Sequence, residues 1–280
     1  MGQLKYGISI TDEDVGIDSP IVFKGAFADS FRKAAECGYD GVELQIKNPS
    51  QKNVDELLEL KEKYNLEVSA ITTGMEYFGN GLCMISDDEE NQRQAVERLK
   101  EHVSLAKKLD SRVLFGSMRG SLKAYEDHDR MLERLSDNLK KVLEEAEKQD
   151  VIVLFEAINL YVNNYILTMD EGAEFVDRIG SKNLVLMADT HHMCLDDKDH
   201  HGVLKKYAGR LGYVHYAEGN RHYPGGGNIN FADCTLGLLE GGYEGWLTME
   251  IIPYPDPMTA AKRAIGYCKG IESACRAILD

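Results

Sequence analysis

Short apolar runs alternate along the chain with longer stretches in which apolar residues recur every three or four positions. Eight runs have strand character: 4–10 (LKYGISI), 41–46 (GVELQI), 67–72 (EVSAIT), 111–116 (SRVLFG), 151–156 (VIVLFE), 184–189 (LVLMAD), 211–216 (LGYVHY) and 245–251 (GWLTMEI). The helical period marks 27–38, 54–65, 88–110, 129–149, 169–180, 201–209, 231–242 and 259–279. The weakest is 201–209, which is short and follows the polar DDKDHH at 196–201. Asp170 is expected to cap the helix after it. Gly38, Gly180 and Gly242 are expected to close helices in the left-handed conformation that costs glycine little. Strands alternating with helices at this spacing imply a parallel sheet. Eight such units in 280 residues fit a closed (β/α)8 TIM barrel of the α/β class. With no Pro- or Gly-rich linker and no short repeat, a single domain over 1–280 is expected.

Charge narrows the partners. The chain carries 47 acidic against 32 basic residues, a formal net charge of -15. So acidic a surface repels a phosphate backbone, so nucleic acid is not an expected partner. The opening MGQLKYGISI lacks a charged head followed by an apolar stretch, so no secretory signal is expected. It also lacks the Ser or Thr at position six that myristoylation prefers. No apolar run is long enough to span a membrane. The six cysteines are scattered without a CxxC and read as buried thiols in a reducing cytoplasm.

Four polar residues end consecutive predicted strands: Glu156, Asp189, His215 and Glu250. They are 33, 26 and 35 residues apart, about one βα unit each. In a barrel the carboxyl ends of the strands share one rim, where function gathers. A lone acid there is as often a solvated loop residue or half of an ion pair. Four acids and imidazoles in register repel unless compensated, and a divalent cation is the simplest compensation. Three carboxylates and one imidazole suit Mn²⁺, Mg²⁺ or Co²⁺, and Zn²⁺ less well without a thiolate. Lys47 and Arg119 follow the second and fourth strands and are expected at the same rim, where they select an anionic substrate or pair with rim acids.

The pattern Glu156-x-x-Asn159, Asp189-Thr190-x-His192, His215 with Arg221 six residues on, Pro224-Gly-x-Gly227 and Glu250 resembles the sugar isomerase/epimerase superfamily with the xylose isomerase-like barrel. Within it the chain is most similar to the ketose 3-epimerase group, typified by D-tagatose and D-psicose 3-epimerases. The stretches IKNPS (46–50), TTGMEYFGNGL (72–82) and GSMRG (116–120) are similar to 5-keto-L-gluconate epimerase. The resemblance implies metal ligation by Glu156, Asp189, His215 and Glu250, with Glu156 and Glu250 also the acid/base pair. It implies substrate contacts from His192, Arg221 and Asn159, and a homodimer or homotetramer. The chain departs from the group after Asn159, where Leu160-Tyr161-Val162 replaces the usual Arg-(Phe/Tyr)-Glu.

Such a site suits proton abstraction next to a ketone and return of a proton to the opposite face through an enediolate. A neutral ketose, a keto-sugar acid and a ketose phosphate all remain open as the small-molecule substrate. So do aldose–ketose isomerisation and dehydration of an inosose-like ketone on the same metal site. An endonuclease IV-like repair enzyme needs histidines after the second to fourth strands, which are absent. A sugar-binding barrel without catalysis has no need of bases on two faces. The aromatic MEYFGNGL (75–82) reads as a lid or a packed loop.

Overall fold

The computed structural model describes residues 3–123 and 127–280. Eight parallel strands close into a barrel: β1 (Lys5–Thr11), β3 (Gly41–Gln45), β4 (Glu67–Thr72), β5 (Val113–Phe115), β6 (Val153–Glu156), β7 (Leu184–Asp189), β8 (Leu211–His215) and β9 (Trp246–Met249). Pairing of β1 with β9 completes the circle, and a two-residue strand, β2 (Phe23–Lys24), flanks β1. Each predicted run coincides with one barrel strand. The main surrounding helices are α1 (Phe27–Cys37), α2 (Val54–Tyr64), α4 (Glu89–Leu109), α5 (His128–Gln149), α6 (Met169–Ile179), α8 (His200–Tyr207), α9 (Phe231–Glu240) and α10 (Pro257–Leu279). The weak 201–209 pattern is the real helix α8, started by Asp199, whose side chain accepts from Gly202 N. Two short helices stand on the rim, α3 (Gly74–Asn80) and α7 (Thr190–Asp196).

Side chains alternate along each strand between the helix-facing core and the barrel axis. Ala70, Leu114, Leu154, Met187, Tyr213 and Trp246 form one apolar layer inside the barrel. Two residues further on, the same inward face presents Thr72, Gly116, Glu156, Asp189, His215 and Thr248. Asp189 lies opposite His215 in register, and His215 opposite Thr248. The apolar layer thus supports a polar one above it.

Helix ends follow the expected chemistry with one correction. Asp170 does not cap α6. Thr168 does, in a capping box with Glu171, because an N-cap hydroxyl must reach the amide three residues on. Asp170 instead accepts from Lys206 Nζ (2.8 Å) and Tyr207 Oη (2.5 Å). Gly38 and Gly180 close α1 and α6 at φ +84° and +70°, and Gly242 (φ +79°) lies one residue past the end of α9's cap. The 75–82 stretch, read as a lid or a packed loop, carries the short helix α3 to Asn80, with Met75 and Glu76 buried and Phe78 exposed. Its buried Glu76 accepts from Arg98 Nη1 (2.9 Å to each oxygen) and Asn80 Nδ2 (2.7 Å). Cys234, Cys268 and Cys275 are buried free thiols as expected, whereas Cys37 and Cys194 are free thiols only half-buried. No helix among the described residues is long and apolar enough to cross a membrane.

Candidate active site and metal centre

The four strand-end residues converge. His215 Nδ1 lies 3.8 Å from Glu156 Oε1, 3.6 Å from Asp189 Oδ2 and 3.6 Å from Glu250 Oε2. Two donors that each sit about 2.1 Å from one cation are about 3–4 Å apart, so these four atoms match the shell of a single ion. His215 Nδ1 is buried and has no hydrogen-bond partner. A buried, partnerless imidazole nitrogen facing three carboxylates fits the ligand set of a divalent cation. Gly116 clears space for the set, since a Cβ there would meet Glu156 Oε2 at 2.5 Å.

The electrostatics fit the same reading. Burial, then the charge of Asp189, pushes Glu156 up to about 8. Burial likewise raises Glu250. Burial opposes ionisation of Asp189, yet the Arg221 guanidinium holds it well below the usual carboxylate range. Burial disfavours the His215 cation, but Glu43 and Glu250 outweigh it and raise His215 well above the usual value. Arg221 supplies the countercharge, with Nη1 2.8 Å from both Asp189 Oδ2 and Glu250 Oε2. In this arrangement a proton and a guanidinium stand where a cation's charge is wanted.

Two functional residues escape sequence reasoning. Glu43, fully buried on β3, accepts from His215 Nε2 at 2.7 Å. That bond commits Nε2 to Glu43, so Nδ1 is the nitrogen that a metal would take in place of a proton. Gln45 donates from Nε2 to Glu250 Oε1 (2.7 Å) and more weakly to Glu43 Oε1 (3.3 Å), while Thr72 Oγ1 donates to Gln45 Oε1 (2.8 Å). The clue was present in GVELQI: an acid within an apolar run, on the inward parity, as in VIVLFE. Because such partners orient the ligand, Glu43→Gln is expected to weaken Mn²⁺ binding about 10- to 100-fold. Calorimetric titration of the variant checks this; unchanged affinity contradicts it.

The candidate substrate contacts divide. His192 and Arg221 line a cavity of about 520 Å³ above the cluster, and Arg221 Nη2 is 3.2 Å from His192 Nε2. Burial holds His192 well below the usual imidazole value and so neutral. Asn159 does not line the cavity. Its amide is hydrogen-bonded to His192 Nδ1 at 2.9 Å, so it orients that ring instead. Lys47 lines the cavity, and a Cβ on Gly79 would meet its Cε at 2.6 Å. Arg119 is a correction. It is fully buried, donates to the carbonyls of Glu156 and Ile166, and packs against the Phe155 and Tyr165 rings. A guanidinium whose Nη groups go to backbone carbonyls, and which does not line the cavity, fixes the end of β6 and selects no substrate anion.

Arg221 is set by its loop. It has φ +60°, a conformation that costs a non-glycine residue of order 1–3 kcal/mol. Its amide donates to Glu218 O (2.8 Å) and its carbonyl accepts from Ile252 N (2.8 Å). The buried Glu218 side chain, also unforeseen in the sequence, accepts from Gly225 N and Ile229 N at 2.9 Å. A Cβ on Gly227 would lie 2.6 Å from Glu218 Oε2, which explains the glycine there.

Comparison with known proteins agrees with the fold. The xylose isomerase-like TIM barrel family matches residues 31–271, and the chain belongs to that family. It is an enzyme of the epimerase/isomerase class. A D-psicose 3-epimerase from Enterocloster bolteae is 28% identical over 230 residues, covering 78% of this chain and 74% of the relative. An L-ribulose 3-epimerase from Mesorhizobium japonicum is 30% identical over 223 residues, covering 77% and 72%. A solved L-ribulose 3-epimerase superposes with a TM-score of 0.83 at 25% identity, covering 97% of this chain and 96% of that one.

Proposed function

We propose that this enzyme is a metal-dependent keto-sugar epimerase with Glu156, Asp189, His215 and Glu250 as ligands. The partnerless His215 Nδ1 facing three carboxylate oxygens at 3.6–3.8 Å carries the reading. The donor set favours Mn²⁺, with Mg²⁺, Co²⁺ and Zn²⁺ as compatible ions. When bound, the cation polarises a ketone oxygen and acidifies the neighbouring C–H.

The chain's own groups then move the proton. Glu250 accepts from Gln45 and pairs with Arg221, which favours the carboxylate and suits it to take a proton. Glu156 faces the same imidazole nitrogen from the other side of the site and, in turn, is placed to carry the proton delivered to the opposite face. Loss of a proton to one glutamate gives an enediolate, and gain from the other on the opposite face inverts the carbon. In the reverse direction the roles exchange. His192 and Arg221 hold substrate hydroxyls, and Lys47 holds an oxygen nearer the mouth. The names of the relatives favour a ketose with reaction at C3.

The test is incubation of the Mn²⁺-loaded protein with ketoses in D₂O. Deuterium at one carbon next to the ketone, in both epimers, is expected. Turnover without deuterium incorporation rules the reading out.

A further inference from the structure

The mouth of the cavity is apolar although the chain is strongly acidic. Ten large hydrophobic side chains are exposed among the described residues, and seven stand on segments that follow the carboxyl ends of barrel strands. They include Ile17 (79% exposed), Phe78 (69%), Tyr161 (80%) and Tyr254 (58%). Scattered exposed hydrophobics are ordinary; a set gathered on one functional face is a recognition surface.

This collar is continuous with the cavity. Phe78 and Val162 line the cavity and also reach solvent. Val15, Pro20, Ile21 and Met75 extend the same wall. The hydrogen-bonding groups Glu156, His192, Arg221 and Glu250 line the cavity beside the metal cluster. In the segment after β6, Leu160-Tyr161-Val162 offers one hydroxyl and otherwise only hydrocarbon. In the segment after β9, Tyr254 stacks on His222 with centroids 4.9 Å apart and planes at 18°. At about 520 Å³ the cavity falls within the range of roughly 300–1,000 Å³ that encloses drug-sized ligands, larger than a lone hexose needs.

The geometry points to a substrate made of a keto-sugar bearing an apolar, planar substituent, such as a keto-glycoside with an aryl aglycone. The sugar sits between Glu156 and Glu250, and the substituent lies against Phe78 and Val162 at the mouth. This rests on the epimerase reading and names its substrate class. Apolar burial supplies affinity for the substituent, and the polar end fixes the ketone.

The probe is a matched pair of keto-hexosides that differ only in a phenyl or methyl group on the anomeric oxygen. Binding to the Mn²⁺-loaded protein is measured by calorimetry, and deuterium uptake in D₂O in parallel. The phenyl compound is expected to bind about tenfold tighter or better. Phe78→Ser and Val162→Ser, at solvent-reaching positions, are expected to bring that ratio toward one. Equal affinities for the pair overturn the proposal. So does a ratio unmoved by both substitutions while light scattering shows a dimer falling to a monomer, which makes the collar a subunit interface. A phenyl preference without deuterium uptake upholds the collar and removes the epimerase reading instead.

Discussion

Glu156→Gln and Glu250→Gln are each expected to lower epimerisation by about 10²–10⁴, the usual contribution of a positioned proton-transfer group. Glutamine keeps the shape and a metal-facing oxygen but cannot exchange a proton. Both side chains flank the same imidazole nitrogen, at 3.8 and 3.6 Å, from strands separated by β7 and β8. The two variants should also fail differently. Each should still wash deuterium into one epimer from the face of its surviving glutamate, and the favoured epimer should differ between them. Mass spectrometry of each epimer after partial turnover reads this directly. Conversion at near-native rate in either variant contradicts the two-base arrangement. Metal content measured alongside separates lost proton transfer from lost ligation.

Removing divalent metal should abolish turnover, and Mn²⁺ should restore it and stabilise the fold. A ligand that binds only the native state adds about 2.7 kcal/mol at a hundred times its Kd. The pH dependence has a definite sign. Glu156 is raised by burial from its usual 4.5 to about 8, so the metal-free fold holds a proton that the unfolded chain releases. That stability is fully present below about 4.5 and is lost as pH rises toward 8. Cation binding displaces the same proton, so affinity for Mn²⁺ should climb with pH up to about 8, by at most about tenfold per unit for that proton. Thermal melts at pH 5.5 and 8, with and without Mn²⁺, check both trends. The gap between the metal-loaded and metal-free melting temperatures should widen at the higher pH. A gap that narrows contradicts the assignment of Glu156 as a ligand.

The barrel was legible because its strands bury both faces and its helices bury one. Burial on both faces makes each strand a short apolar run, and burial on one gives each helix its stripe. The proposed metal cluster was legible because a carboxylate or imidazole at the end of such a run has no reason to be there on packing grounds. Glu156, Asp189, His215 and Glu250 stand out for that reason. Glu43 obeys the same logic, but it sits within its run, so the strand's apolar neighbours concealed it.

Arg119, Asn159 and Asp170 mark where sequence stops. Each has the residue type of its expected role, and each spends its polar atoms elsewhere: on backbone carbonyls, on His192, and on Lys206 with Tyr207. The chain order determined the fold, the rim and the proposed ligand set, because strand parity and βα spacing are local and periodic. Only the closed barrel decided which polar atoms meet across it. The Gln45 bond to Glu250 joins residues 205 positions apart, and the Glu43 bond to His215 joins residues 172 apart. Side-chain direction and reach in three dimensions set such pairings, and no local pattern along the chain encodes them.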